Sequence, residues 1–231
     1  KVVQSEKNNY FVLNGGGPVL QLKKDSIIRI DNSVEQKNQF GAATFVYKKK
    51  MYMYGGYGFW SFKNYTTYYD FSSNQWELFR TQSEIQPQSR WKPLFDLKDN
   101  KLYVMGGRSS LPENYMTDII LKDLFVIDMD LKTIKNLSTQ VNPKTPLLFH
   151  SHNNGFLLNN KRAYLYNNMV TAFDFTNNKF YSYNAKSLFE KKLEASPILN
   201  FSDSLVFVKK SKGIKKLTFL HENELKKNLI E

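Results

Sequence analysis

The chain contains no cysteine, which removes three chemistries together: a disulfide framework, a thiolate metal site and a cysteine nucleophile. It also has no apolar run near the ~18 residues that a membrane-spanning helix needs, and no charged-then-apolar leader opens it. No proline-rich, glycine/serine-rich or low-complexity stretch divides the 231 residues, so one domain with a full-sized core is expected. The first residue is Lys1 rather than Met, and the last lies in the charged stretch 221–231. A processed secreted protein, or a piece cut from a longer one, fits this pattern, and the expected setting is extracytoplasmic, periplasmic or secreted.

Acids are scarce relative to bases, 21 against 33, and the formal net charge is +12. Such a surplus would suit an anionic partner. The lysines, however, are scattered as short groups such as Lys23-Lys24, Lys48-Lys49-Lys50 and Lys209-Lys210, several of them where a hairpin would turn. They read as a solvated surface, and a nucleic-acid interface is not expected.

What the chain does have is short alternating apolar and aromatic runs. Residues 40–47, 51–54, 65–71 and 76–79 alternate with the period of two that marks strands, and Gly55-Gly56 and Ser72-Ser73-Asn74 supply turn chemistry between them. The same four-strand unit recurs over residues 91–137, with Leu102-Tyr-Val-Met105 running into Gly106-Gly107. A third copy has Asn167-Asn168 in place of the glycine pair, and weaker copies lie on either side. The doublets start at Gly15, Gly55, Gly106, Asn167 and, by position, Lys209, giving steps of 40, 51, 61 and 42 residues. Five units are counted in this way.

Two features, the aromatic-x-aromatic-x-Gly-Gly run (read over Met51 to Gly56 and Leu102 to Gly107) and the downstream apolar-Asp turn (Asp31, Asp70, Asp128, Asp174), resemble the kelch-repeat family. Within that family the stretch Phe40 to Lys63 and the Lys/Asn-rich composition look most like the kelch domains of flavobacterial and related Bacteroidetes proteins. The resemblance implies an all-β fold: a kelch-type β-propeller of four-stranded antiparallel blades over residues 1–220, with five blades, or six if the chain is cut. The first unit lacks an evident innermost strand, because only residues 1–9 precede Tyr10. Residues 221–231, with Leu225, Leu229 and Ile230 at helical spacing, form a short terminal helix or the start of a linker.

A propeller works through the loops on one face, and two kinds of connection are long here. The second-to-third connections are residues 57–64 and 108–122; the inter-blade connections are 80–90, 138–151 and 184–196. Sixteen residues before three of the doublets lie Gln39, Arg90 and Ser151; fifteen before lie Phe40, Trp91 and His152. Gln39, Arg90, Trp91 and His152, joined by Arg108, Tyr57 and Trp60, are therefore expected to share a pocket at the channel mouth. Guanidinium groups with aromatic faces suit a carboxylate or a sugar, so the expected partner is a protein, a peptide or an acidic glycan. The competing reading is structural: Phe40 and Trp91 pack between blades, and Arg90 pairs with an acid.

Catalysis is not expected, nor is a cofactor or a metal. His150-x-His152 could share a strand face, but no third ligand is specified. The copper-radical oxidation found in the kelch family needs a Tyr–Cys crosslink, which this chain cannot make. The enzyme alternative is a sialic-acid mutarotase-like epimerase, in which Arg90 would hold the sugar carboxylate and His152 would exchange protons.

Overall fold

Tyr, Phe, Val, Ile and Thr recur in runs of three to eight residues, and such residues fill a pleated, half-buried surface well. Accordingly, in the computed structural model the chain is all-β and its sheets are antiparallel. The structure describes residues 2–5, 8–12, 17–34, 36, 38–111, 114–138, 156–158, 161–166, 169–174, 179–184, 199–201, 204–211, 214–221, 223–224 and 229–230. It divides into two compact units, 1–138 and 139–231.

The first unit holds three successive four-stranded sheets. Strands β1 (Val2–Ser5), β2 (Asn8–Val12), β3 (Val19–Leu22) and β4 (Ile27–Arg29) form the first, in that order. The second is built from β5 (Ala43–Tyr47), β6 (Lys50–Tyr54), β9 (Thr66–Asp70) and β10 (Gln75–Phe79), with a small hairpin, β7 (Tyr57–Gly58) and β8 (Ser61–Phe62), inserted between β6 and β9. The third comprises β11 (Leu94–Lys98), β12 (Lys101–Leu111), β13 (Asn114–Asp128) and β14 (Thr133–Asn136). In the second unit, β15 (Phe156–Leu158), β16 (Lys161–Tyr166), β17 (Met169–Asp174) and β18 (Lys179–Asn184) form a sheet, and β19 (Leu199–Phe201), β20 (Ser204–Ser211) and β21 (Ile214–His221) form another.

The second sheet is buried on both faces. Met51 and Met53 of β6 pack with Tyr10, Val12 and Val19 of the first sheet, together with Tyr69 and Trp76. Tyr52 and Tyr54, one residue out of phase, pack with Leu102, Val104, Phe125 and Ile127 of the third. Alternation along a single strand thus supplies two cores.

Register reproduces the repeat. Ala43 pairs with Tyr54 and, 51 residues on, Leu94 pairs with Met105. The hairpin turns Lys48-Lys49 and Asp99-Asn100 are left-handed at both positions, with φ of 42° and 64° in one and 49° and 60° in the other. Each turn is two residues long, one fewer than the sequence suggested. The apolar-Asp turns also match, since Asp70 Oδ1 accepts from the Ser72 N–H at 2.9 Å and Asp128 Oδ1 from the Asp130 N–H at 3.0 Å. Both glycine pairs adopt one conformation, φ 69° and 102° at Gly55-Gly56 and 56° and 100° at Gly106-Gly107. Such values strain any residue with a side chain.

The linkers between sheets repeat as well. Asn32 N–H donates to the Asn74 carbonyl and Ser33 Oγ accepts from the Trp76 N–H; likewise Gln82 N–H donates to the Lys132 carbonyl and Ser83 Oγ accepts from the Ile134 N–H. Each linker therefore grips the outer hairpin of the sheet that follows it.

Several expectations are corrected. The first sheet has a full set of four strands: Val2–Ser5 pairs with Asn8–Phe11 as the edge strand, and Ile27–Arg29 is its fourth strand rather than its third. The expected loop 108–122 is instead a long hairpin, because β12 and β13 stay paired from Gly107–Leu121 out to Leu111–Asn114, around a bulge between Met105 and Gly107. In the terminal segment Asn223-Glu224 are helical and Leu229–Ile230 forms a strand, β22, on β18; Leu225 lies outside the described residues. No helix among the described residues is long and apolar enough to cross a membrane.

Candidate functional site

The glycine pairs organise the residues around the expected site. Gly56 N–H donates to the Arg90 carbonyl, Arg90 N–H to the Lys63 carbonyl and Lys63 N–H back to the Gly56 carbonyl, so the segment leading into the third sheet is tied to the second at this level. With the chain drawn this close, the side chains sixteen residues before Gly55 and Gly106 turn inward. Gln39, 1% exposed, donates from Nε2 to the Gly55 carbonyl at 2.8 Å and accepts the Thr67 hydroxyl at 2.6 Å.

Arg90 does the equivalent job. Its Nη1 donates to the Gly106 carbonyl at 2.9 Å, and the guanidinium meets Asp123 through two bonds of 2.8 and 2.7 Å, with Nε donating to the Gln88 carbonyl at 3.0 Å. The group is fully buried and lies 4.7 Å from the centre of the Phe125 ring. Gln39 and Arg90 are therefore internal clamps and not ligand groups. A buried donor left without a partner costs ~1–3 kcal/mol and a buried charge more, which is why both are saturated by the protein itself.

One residue further on, the chain turns outward. Phe40 bridges to Tyr57 and Trp91 bridges to Arg108, each through a reciprocal backbone pair just past a glycine doublet. These residues do come together. Phe40, Tyr57, Trp60, Ser61, Phe62, Ser89, Trp91, Ser110 and Asp118 line a cleft of about 430 Å³, within the range of small-molecule sites. Phe40 and Trp91 stack at 6.3 Å between ring centres, and Tyr57 meets Phe62 edge-on at 5.1 Å. Trp91 is fixed from beneath by Gly41, where even a Cβ would come within 2.2 Å of the indole nitrogen.

Arg108 stands at this cleft, but its charge is already matched. Its guanidinium is ion-paired with Asp118 and lies 5.6 Å from the Trp91 ring centre. Lys92 Nζ lies 4.3 Å from the same ring; burial, then the nearby Arg108 charge, lowers its pKa. Lys63, whose Nζ donates to Ser61 Oγ at 2.8 Å, is also lowered, by burial. The cleft thus offers aromatic faces, three serine hydroxyls and a half-exposed carboxylate; its arginine is paired with that carboxylate, and the ammonium groups of Lys63 and Lys92 stand at its edge.

Of the expected site residues, Tyr57, Trp60 and Trp91 line the cleft, Arg108 braces it, and Gln39 and Arg90 lie inside the protein. His152, with His150, Ser151 and most of the connections 138–151 and 184–196, falls outside the described residues. The residues missed were Phe59, Phe62 and the serines. Phe59 and Trp60 form the two-residue turn between β7 and β8, with Gly58 paired to Ser61. Both are left-handed, φ 48° and 61°, and both are open to solvent, 77% and 81% exposed. Among the described residues no three His, Asp or Glu side chains cluster as a metal site would require.

Compared with known proteins, the chain matches no protein-family model and no curated protein.

Proposed function

We propose that the chain is a kelch-type β-propeller, in whole or in large part, and works as a non-catalytic binding module whose ligand enters the cleft formed by Phe40, Tyr57, Trp60, Phe62 and Trp91. Three observations support the fold half: among the described residues five antiparallel sheets of three or more strands follow one another, the two described glycine pairs share one conformation, and the linkers repeat one bonding pattern. Sheets with two apolar faces and two edges are well served by radial packing.

The observation that carries the functional half is the aromatic lining with its neutralised arginines. An acidic glycan is a poorer fit than the sequence implied, because Arg90 is buried on Asp123 and Arg108 is paired with Asp118. The same pairing removes the arginine that a sugar-acid epimerase would need. An uncharged ligand with a flat or ring-shaped apolar face fits best.

The test is thermal shift and tryptophan fluorescence with neutral glycans, acidic glycans and peptides, on wild type and on Trp60→Ala and Tyr57→Ala. A ligand at a hundredfold excess over Kd stabilises by about 2.7 kcal/mol, an easily read shift. The expected result is a shift that both variants lose while their unliganded melting points stay normal. A shift that survives in both variants, or no shift with any probe, overturns the reading. A crystal structure in which the sheets do not surround one axis overturns the fold half.

A further inference from the structure

The turn Phe59-Trp60 is unusual in a way that packing does not account for. Three two-residue hairpin turns in the first unit are left-handed at both positions, and their residues are Lys48-Lys49, Asp99-Asn100 and Phe59-Trp60. Asn, Asp and Gly occupy such turns at least cost, and bulky aromatics there are outliers. Neither ring is recovered as core: both are largely exposed, on a hairpin held firmly by Tyr57 and Lys63 backbone bonds to Phe40 and Gly56. Strain of this kind, on a rigid support, is found where a side chain must be presented.

Resting on the cleft reading above, we infer that Phe59 and Trp60 are a presented recognition tip, and that the ligand is a neutral oligosaccharide: one ring lies in the cleft against Trp60, Tyr57 and Trp91, and a further ring reaches Phe59. Trp60 lines the cleft whereas Phe59 stands outside it, so the two give successive stacking stations. Aromatic faces take the C–H face of a pyranose, while Ser61, Ser89, Ser110 and Asp118 offer partners to its hydroxyls. A peptide bound by strand addition is disfavoured here, because β7 is already paired on one side with β8 and on the other with Phe40.

The experiment measures binding of neutral gluco-, manno-, xylo- and N-acetylglucosamine oligosaccharides, from one to four units, to wild type, Phe59→Asn and Phe59→Asn/Trp60→Gly. Expected in wild type is affinity that rises with chain length in at least one series. Phe59→Asn should weaken the trimer about tenfold and leave the monomer unchanged. The double variant should lose binding and melt a few degrees higher, since Asn-Gly relieves the turn. If wild type binds sugar but Phe59→Asn binds the trimer equally well, the tip is wrong and the cleft stands. If the double variant melts lower, the strain argument is wrong. Binding of a peptide or an acidic glycan in place of neutral sugars overturns the ligand class alone. No binding of any probe overturns both readings.

Discussion

Gln39 and Arg90 occupy the same place in successive repeats and do the same thing with different chemistry. Each reaches sixteen residues forward to hold the carbonyl of a doublet's first glycine. In the second sheet the partner on the other side is a hydroxyl, Thr67, and a neutral amide suffices. In the third sheet the partner is a carboxylate, Asp123, and a guanidinium is required. The position demands a long side chain with a donor, and what the neighbouring strand offers decides its charge.

This contrast can be broken by substitution. Arg90→Ala strands Asp123 and the Gly106 carbonyl together, and should cost about 3–5 kcal/mol, seen as a melting point about 10 °C lower or more in a thermal scan. Arg90→Gln should recover part of that loss and Gln39→Arg should be worse than Gln39→Ala, because only the third sheet supplies an acid; urea titrations of the three variants rank them. Gln39→Ala leaves only neutral groups without partners, and the expected loss is about 1–3 kcal/mol by the same titration.

The linkers sharpen the comparison at smaller scale. Ser33→Ala and Ser83→Ala each remove one acceptor for a strand N–H, at about 1 kcal/mol, with the buried Ser33 expected to cost more than the partly exposed Ser83. Smallest at neutral pH is the effect of the buried tyrosines. Burial raises the pKa of Tyr54 and of Tyr69, so the folded state prefers the neutral phenol. Their contribution is intact below the unfolded value of about 10 and is lost as pH climbs through the raised folded values. Melting points should hold to about pH 10 and fall beyond it, less steeply in Tyr54→Phe.

Much of the fold was legible because the repeat is written in turn chemistry. Gly55-Gly56 and Gly106-Gly107 mark equivalent points whatever the strands between them contain. The edges of the repeat were harder to read: Val2–Ser5 is too short for its alternation to register, and in 108–122 Ser109, Ser110 and Asp118 disguise paired strands as a loop. The site was half legible. Aromatic residues just past the doublets did converge, but the regularity that singled out Gln39 and Arg90 was itself the sign of a structural role, since a spacing repeated from unit to unit answers a need of every unit. Trp60 was singled out as a loop aromatic, but Phe59 and the tight hairpin that presents both were missed, because two adjacent aromatic residues do not read as a left-handed turn.

The linker bonds also give the chain a direction in time. Asn32 and Ser33 precede the hairpin they hold by some forty residues, and Gln82 and Ser83 precede theirs by some fifty. As the polypeptide leaves the ribosome, the anchor for each new sheet has already been synthesised, so the third sheet can lock onto the second while the fourth is still being translated. Each new outer hairpin thus finds its linker partner already present when it emerges.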